Sequence, residues 1–365
     1  MAFGTITVYC GVAAIAIFLL RRLYLRLAHT ASEHRSQLKL RNDSTSQEKI
    51  DVAKAYEITP LADFDWRAKE PLKFRSFKPK YHLTMGISNV SLSELIEMDH
   101  NYMSRMKLRK QIIEDHHDTV IQACPAITPA LDELYTWLTG SYLPTRFPSM
   151  FKLSPTHLLN LVTSEPLPLQ PPIDPIHTLE LLGKNLDDDF LLLLPCDGDQ
   201  YELKGFITCF PSGFNTKDKF GMTLKDIHTP VPGYKEKLER SMDRFFSRLE
   251  VGRVVQRSNW AITTHGRLFA ASGTHLYEGE APEPEDIDTF LRCERQLLHR
   301  LPKSKALVFS FKTYLYPLSD IKNEGLGENL AQAIDGLKEG SVPAMHFYKR
   351  GVVWGDAVKA YLRAE

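Results

Sequence analysis

Cysteine is scarce in this chain, and what there is lies scattered. The five residues Cys10, Cys124, Cys196, Cys209 and Cys293 are far apart, and none forms a C-x-x-C pair. That argues against a disulfide framework and against a zinc or iron–sulfur site built from this chain alone; it suits a reduced, cytosol-facing body. Net charge is lacking too. Lys+Arg and Asp+Glu both number 45, so no overall field points to nucleic acid or an acidic partner. The 13 histidines include no H-x-x-x-H or H-E-x-x-H pair, which removes the common helical zinc sites. There is no P-loop, no G-x-S-x-G and no C-x4-C-x2-C, and "GLGENL" lacks the third glycine of a dinucleotide fingerprint. If such a chain performs redox chemistry, its electrons come from elsewhere.

Long apolar runs are also rare, with one exception at the start. "MAFGTITVYCGVAAIAIFLL" carries no charge and is followed at once by "RRLYLR". A secretory signal would place its basic residues before the apolar run and a small-residue cleavage site after it. About twenty apolar residues with a basic flank read instead as a single-pass transmembrane anchor over residues 1–27. The expected placement is the endoplasmic reticulum membrane, with the body in the cytosol. Residues 28–59 form a polar stalk, and residues 60–365 form the body. Within the body, 60–163 reads as mainly helical, 176–320 as mixed, and 321–365 as a helical tail. "SEPLPLQPPIDP", with five prolines in twelve residues, reads as a stiff extended connection between the first two.

Past the prolines, "DDFLLLLP" and "QYELKGFITCFP" read as strands of a hairpin joined through "CDGD", whose Gly between two Asp is good turn chemistry. "YKEKLERSMDRFFSRLE" places Leu238, Met242, Phe245, Phe246 and Leu249 on one helical face. "RVVQRSNWAIT" alternates as a strand, with Val254, Trp260 and Ile262 on one side and Arg257 and Asn259 on the other. "DIDTFLRCERQLLHRLP" is expected to be a helix over Asp286–Leu301, stopped by Pro302, and "KALVFSFKTYLYP" a long strand. Strands joined by hairpins and short helices suggest an α+β fold, an antiparallel sheet with helices on one face.

Three places could carry chemistry. In "TLKDIHTPVPG", Thr223 caps a short helix with Asp226 at capping-box spacing, and Pro230 ends it at about His228. His228 then stands either as a cation at a helix C-terminus or as the protein's single axial ligand to a haem iron. In the expected helix Asp286–Leu301, Glu294 falls inside the apolar stripe, where it must be paired or protonated, with Arg295 flanking the seam. Arg292, Gln296 and Arg300 would point elsewhere. Arg257 and Asn259 share a strand face that either binds a ligand or meets water.

In their order, "KFRSFKPKYHLTMGI", "LPTRFP", "DDDFLLLL", "CFPSGF", "TLKDIHTPVPG", "RSNW" and "RCERQLLHRLPKSKALVFSFKTY" resemble the haem-dependent oxidative N-demethylase family. The likeness runs from about Lys73 to Tyr316. It implies a PAS-like antiparallel sheet with flanking helices and extra helical elaborations, cradling haem b. It also implies oxidation of an N-methyl amine by molecular oxygen with loss of formaldehyde, on NADPH-derived electrons from a separate flavin and iron–sulfur reductase. His228 becomes the expected iron ligand, and Arg257, Asn259, Glu294 and Arg295 the expected polar pocket. The family's "CFPS" is usually followed closely by tryptophan, where this chain has Phe214. An anchored member also suits the tailoring of a secondary metabolite. The rival expectations are a haem-based sensor or carrier without turnover, and a small-molecule binding module without haem.

Overall fold

The computed structural model describes residues 56–277, 279–281 and 288–364. The anchor expected at 1–27, and the stalk apart from residues 56–59, lie outside the described residues. Among the described residues no helix is long and apolar enough to cross a membrane.

Among the described residues there are ten strands: β1 (Ser88–Val90), β2 (Ile121–Ala123), β3 (Phe151–Leu153), β4 (His157–Asn160), β5 (Glu165–Pro168), β6 (Asp189–Cys196), β7 (Gln200–Ile207), β8 (Val254–Thr263), β9 (Phe290–Arg300) and β10 (Leu307–Pro317). Seven form one sheet in the order β1-β8-β9-β10-β6-β7-β2, antiparallel throughout. β3, β4 and β5 make a small second sheet, so the proline-rich segment begins as a paired strand. The fold is α+β, as expected. The β6–β7 hairpin turns through Asp197–Asp199, with Gly198 at φ 74°. That left-handed conformation is free for glycine and strained for other residues.

One expectation is overturned. Residues 290–300 are not helical; they form β9, paired along its length with β8 on one side and β10 on the other. A strand central to the sheet and covered on both faces reads as a near-continuous buried run, and its apolar residues can match a helical period by coincidence. The neighbouring "KALVFSFKTYLYP" is indeed a strand, β10, and the two pair as a hairpin through residues 301–306. The expected helix at 234–250 is two pieces, Tyr234–Lys237 and Glu239–Arg248, separated at Leu238.

The two faces of the sheet are covered differently. On the back face, helix Tyr102–Val120 is joined to the sheet by buried charge. Arg109 bonds Asp189 Oδ1 through Nη1 at 2.8 Å and also donates to the carbonyls of Gly183 and Asp188. Lys312 lies 2.8 Å from Asp99 and 3.2 Å from Asp187. Further along the sheet, Trp354, Leu330 and Ile334 of the C-terminal helices pack on Cys293 and Tyr314. The front face carries Leu193, Val255 and Leu298, with Phe309, against Leu224, Phe245 and Phe246.

Arg109→Ala should remove the cation and leave Asp189 buried and uncompensated. Unfolding by denaturant should show a loss of about 3–5 kcal/mol. A loss below about 1 kcal/mol would mean that the clamp is dispensable.

His299 on β9 is 2% exposed, and neither ring nitrogen has a hydrogen-bond partner. Burial pushes its pKa from 6.5 down to about 4. Between those values the unfolded chain takes up a proton that the folded chain refuses. This histidine's stabilising contribution is therefore complete above the unfolded pKa and is lost as the pH falls towards 4. In His299→Leu, the fall in stability from about pH 7 to about pH 5 should shrink by roughly 2 kcal/mol. Equal slopes in both proteins would refute this.

Candidate functional site

The front face of the sheet and the helices above it enclose a cavity of about 220 Å³. Its walls are mostly apolar: Leu191, Leu193 and Phe311 from the sheet face Leu238, Met242 and Phe246 from the helices. The polar groups that reach it are Lys219, His228, Arg257, Glu294 and Gln296. A larger hollow of about 740 Å³ adjoins it, and the two share Phe214, Lys219 and Ile227 in their walls.

His228 is held from three directions. Thr223 caps the one-turn helix Leu224–Ile227: its hydroxyl accepts from Asp226 N and donates to Asp226 Oδ2 at 2.7 Å. The His228 carbonyl accepts from Val231 N, and the Val231 carbonyl accepts from Tyr234 N, so the chain turns tightly through both prolines. The turn ends at Gly233, φ 72°, where an added Cβ would lie 2.8 Å from Val342 Cγ2. This brings Tyr234 to stack on the imidazole, with centroids 4.8 Å apart and planes 15° apart.

The ring's protonation follows from its partners. Nδ1 lies 2.8 Å from the Leu224 carbonyl, which can only accept, so Nδ1 carries the proton and Nε2 the lone pair. Among the described residues Nε2 has no hydrogen-bond partner. Burial pushes the His228 pKa down to about 4, against the bond to Leu224, and the charges of Lys219 and Arg257 lower it further. The imidazole is neutral at pH 7. It is not a cation stabilised by a helix C-terminus.

Register decides which candidates meet. Arg257 stands opposite Gln296, and Asn259 opposite Glu294, so these four share the front face. Glu294 is 5% exposed; its Oε2 accepts from Gln296 Nε2 at 2.8 Å, and its Oε1 is buried without a partner. Asn259 shares the face but does not line the cavity; its Oδ1 accepts from Lys349 Nζ at 3.3 Å. Burial lowers the Lys349 pKa to about 8, helped by Arg257 and opposed by Glu294.

Arg295 must be taken out of the group. Successive residues of a strand point to opposite faces, and Arg295 lies on the back, bonding Gln256 Oε1 at 2.7 Å and the carbonyls of Glu94 and Leu95. Gln296, set aside on the helical reading, belongs to the cavity for the same reason. Arg292 shares the front-face parity and donates to the carbonyls of Phe210, Pro211, Arg267 and Leu268, tying "CFPSGF" to the segment after β8.

Several further residues of the site carry no local sequence signal. Lys219 lies over the Phe214 ring at 4.5 Å, and burial lowers its pKa. His275 lines the larger hollow, stacks on Tyr348 at 4.4 Å, and is pushed by burial to a pKa of about 4. Gly213 is the point of closest approach between their loops. Its φ is 72°, and a Cβ would lie 1.8 Å from Thr274 Oγ1 and 2.5 Å from His275 Nδ1. Gly213→Ala should therefore cost at least about 2 kcal/mol by thermal or denaturant unfolding. A neutral result would show that the two loops can part freely.

Fold and site together define an α+β protein with a mostly apolar pocket under a helical cover, reached by one neutral imidazole and a short polar row. The family described as haem-dependent oxidative N-demethylase, alpha subunit-like, matches residues 86–359, and the chain belongs to it.

Proposed function

We propose that this chain is a haem-dependent oxygenase that oxidises an amine or N-methyl group, with His228 as its ligand to the haem iron. The observation that carries the proposal is the state of that imidazole. A metal-ligating histidine donates its second ring N–H to a carbonyl or carboxylate, which fixes the tautomer and aims the lone pair. His228 makes such a bond to Leu224 and has Nε2 without a partner beside an apolar cavity. Among the described residues no group of three or more His, Cys, Asp or Glu side chains could hold a metal ion, so a site here would rest on a single protein ligand. The antiparallel sheet with its front-face helices supports a PAS-like reading of the fold.

Haem, when bound, supplies the redox-active iron for the oxidative chemistry named in the family description. The protein's own groups have the remaining tasks. The apolar walls exclude water. Glu294 Oε1, buried and unpartnered, can accept a hydrogen bond from a substrate ammonium, while Gln296 holds the other oxygen. Arg257 adds positive charge on the same face, and Asn259 is fixed behind it by Lys349. With no nicotinamide or flavin fingerprint in the chain, electrons from NADPH would come through a separate flavin and iron–sulfur reductase. Residues 1–27, an apolar run with its basic flank, would tether the protein to the endoplasmic reticulum membrane, a placement suited to a metabolite substrate.

The test uses the full chain purified in detergent. It should show a Soret band that is lost in His228→Gly and restored by added imidazole. With a reductase system, N-methylated amines should yield formaldehyde in proportion to NADPH consumed. A Soret band without turnover on any amine would favour a sensor or carrier. A protein that stays colourless after mixing with haemin would overturn the haem reading.

A further inference from the structure

Most deeply buried cations of this fold are satisfied from within. Arg109 has Asp189 and two carbonyls, and Lys312 has Asp99 and Asp187. Arg300 donates to the carbonyls of Leu249, Phe246 and Lys305, and Lys349 to Asn259 and the Trp260 carbonyl. Arg257 and Lys219, both half-buried, are the contrast. Both line the 220 Å³ cavity, and among the described residues neither side chain makes an ion pair or a hydrogen bond. The Nε of Arg257 is buried with no partner. Glu294, the one carboxylate among the cavity's lining residues, lies beyond ion-pair distance of both and is occupied by Gln296 on one oxygen. Positive charge left against an apolar wall is costly unless something neutralises it.

We propose that Arg257 and Lys219 form a carboxylate-binding subsite on the wall of the cavity. The guanidinium fork matches a planar carboxylate with two parallel hydrogen bonds, and the lysine adds a point charge. A single negative charge fits the balance of two cations against Glu294, whereas a doubly charged phosphate would be repelled by that carboxylate. The carboxylate has two possible sources, a propionate of the haem or the acid group of an N-methylated amino acid. Both rest on the proposed haem site, and the experiment separates them.

Haem-depleted full-length protein, in detergent, is titrated with haemin and with haemin dimethyl ester, whose propionates are blocked. Affinity is followed by the Soret band and by quenching of tryptophan fluorescence. The proteins are wild type, Arg257→Gln, Lys219→Gln and the charge-keeping Arg257→Lys, with folding checked by circular dichroism. If the subsite takes a propionate, wild type binds haemin at least about tenfold more tightly than the ester. The two glutamine variants lose that preference, and Arg257→Lys keeps part of it. If the subsite takes a substrate carboxylate, haemin and its ester bind alike in every protein. The glutamine variants then lose the spectral response to N-methylglycine while keeping that to dimethylamine. Either result supports the subsite. Folded glutamine variants that match wild type toward haemin, its ester and both amines overturn it and leave the haem site intact. Wild-type protein that binds neither haemin nor its ester overturns both proposals.

Discussion

The pocket's rim depends on one buried carboxylate. Asp189 opens β6, and its two oxygens accept from the backbone N–H groups of Cys209 and Phe210, just beyond the end of β7, as well as from Arg109. The exit of the β6–β7 hairpin is thereby tied to its entry, and both are tied to helix Tyr102–Val120. From that anchor the chain crosses to the front face, where Arg292 holds the Phe210 and Pro211 carbonyls and Gly213 meets Thr274. Phe214 and Lys219 stand where they do because of contacts made at the start of β6. A buried ion pair rarely adds much stability against an apolar alternative, but its directional bonds can specify one arrangement.

The two faces of the sheet handle charge in opposite ways. On the back, Lys312 is paired with Asp99 and Asp187, while both oxygens of the neighbouring Asp188 are buried without a hydrogen-bond partner among the described residues. Burial also pushes the Asp188 carboxyl up to about 7, which limits the excess of negative charge beside Lys312. On the front, charge is left open. Among the described residues Glu294 keeps an unpartnered oxygen, Arg257 an unpartnered nitrogen, and His228 an unpartnered lone pair, all within a largely apolar enclosure. The strand period of two makes this separation possible within one sequence. Glu294 and Arg295 are neighbours in the chain, yet one faces the cavity and the other braces the loop after β1.

Much of this was legible in the residues. The β6–β7 hairpin, β8, β10 and the short helix ending at His228 follow from turn chemistry, alternation and proline placement. β9 was not legible, because burial on both faces removes the alternation that identifies a strand. The error propagated: a helical wheel keeps Glu294 and Arg295 on one seam and sends Gln296 away, whereas the strand does the reverse. Lys219, Lys349 and His275 were beyond reach for a different reason. Each reaches the site from a separate segment, and the packing of loops on a sheet leaves no fixed spacing in sequence. The registers of β8 and β9 brought Arg257 and Glu294 onto one face, which neither strand's pattern could establish alone.

His228 shows how local and global physics compete. Its sequence setting allows a cation at a helix C-terminus, but the helix is only Leu224–Ile227, and so short a helix has little dipole to offer. Against that stand the burial of the ring, the stacked Tyr234 and two nearby cations, all of which favour the neutral form or tolerate it. A protonated imidazole has no lone pair for a metal, so an electrostatic setting that welcomed the cation would work against ligation. The surroundings of His228 do the opposite. They keep the ring neutral and, through Leu224, leave the lone pair on Nε2. The prolines that end the helix also set the turn that brings Tyr234 against the ring.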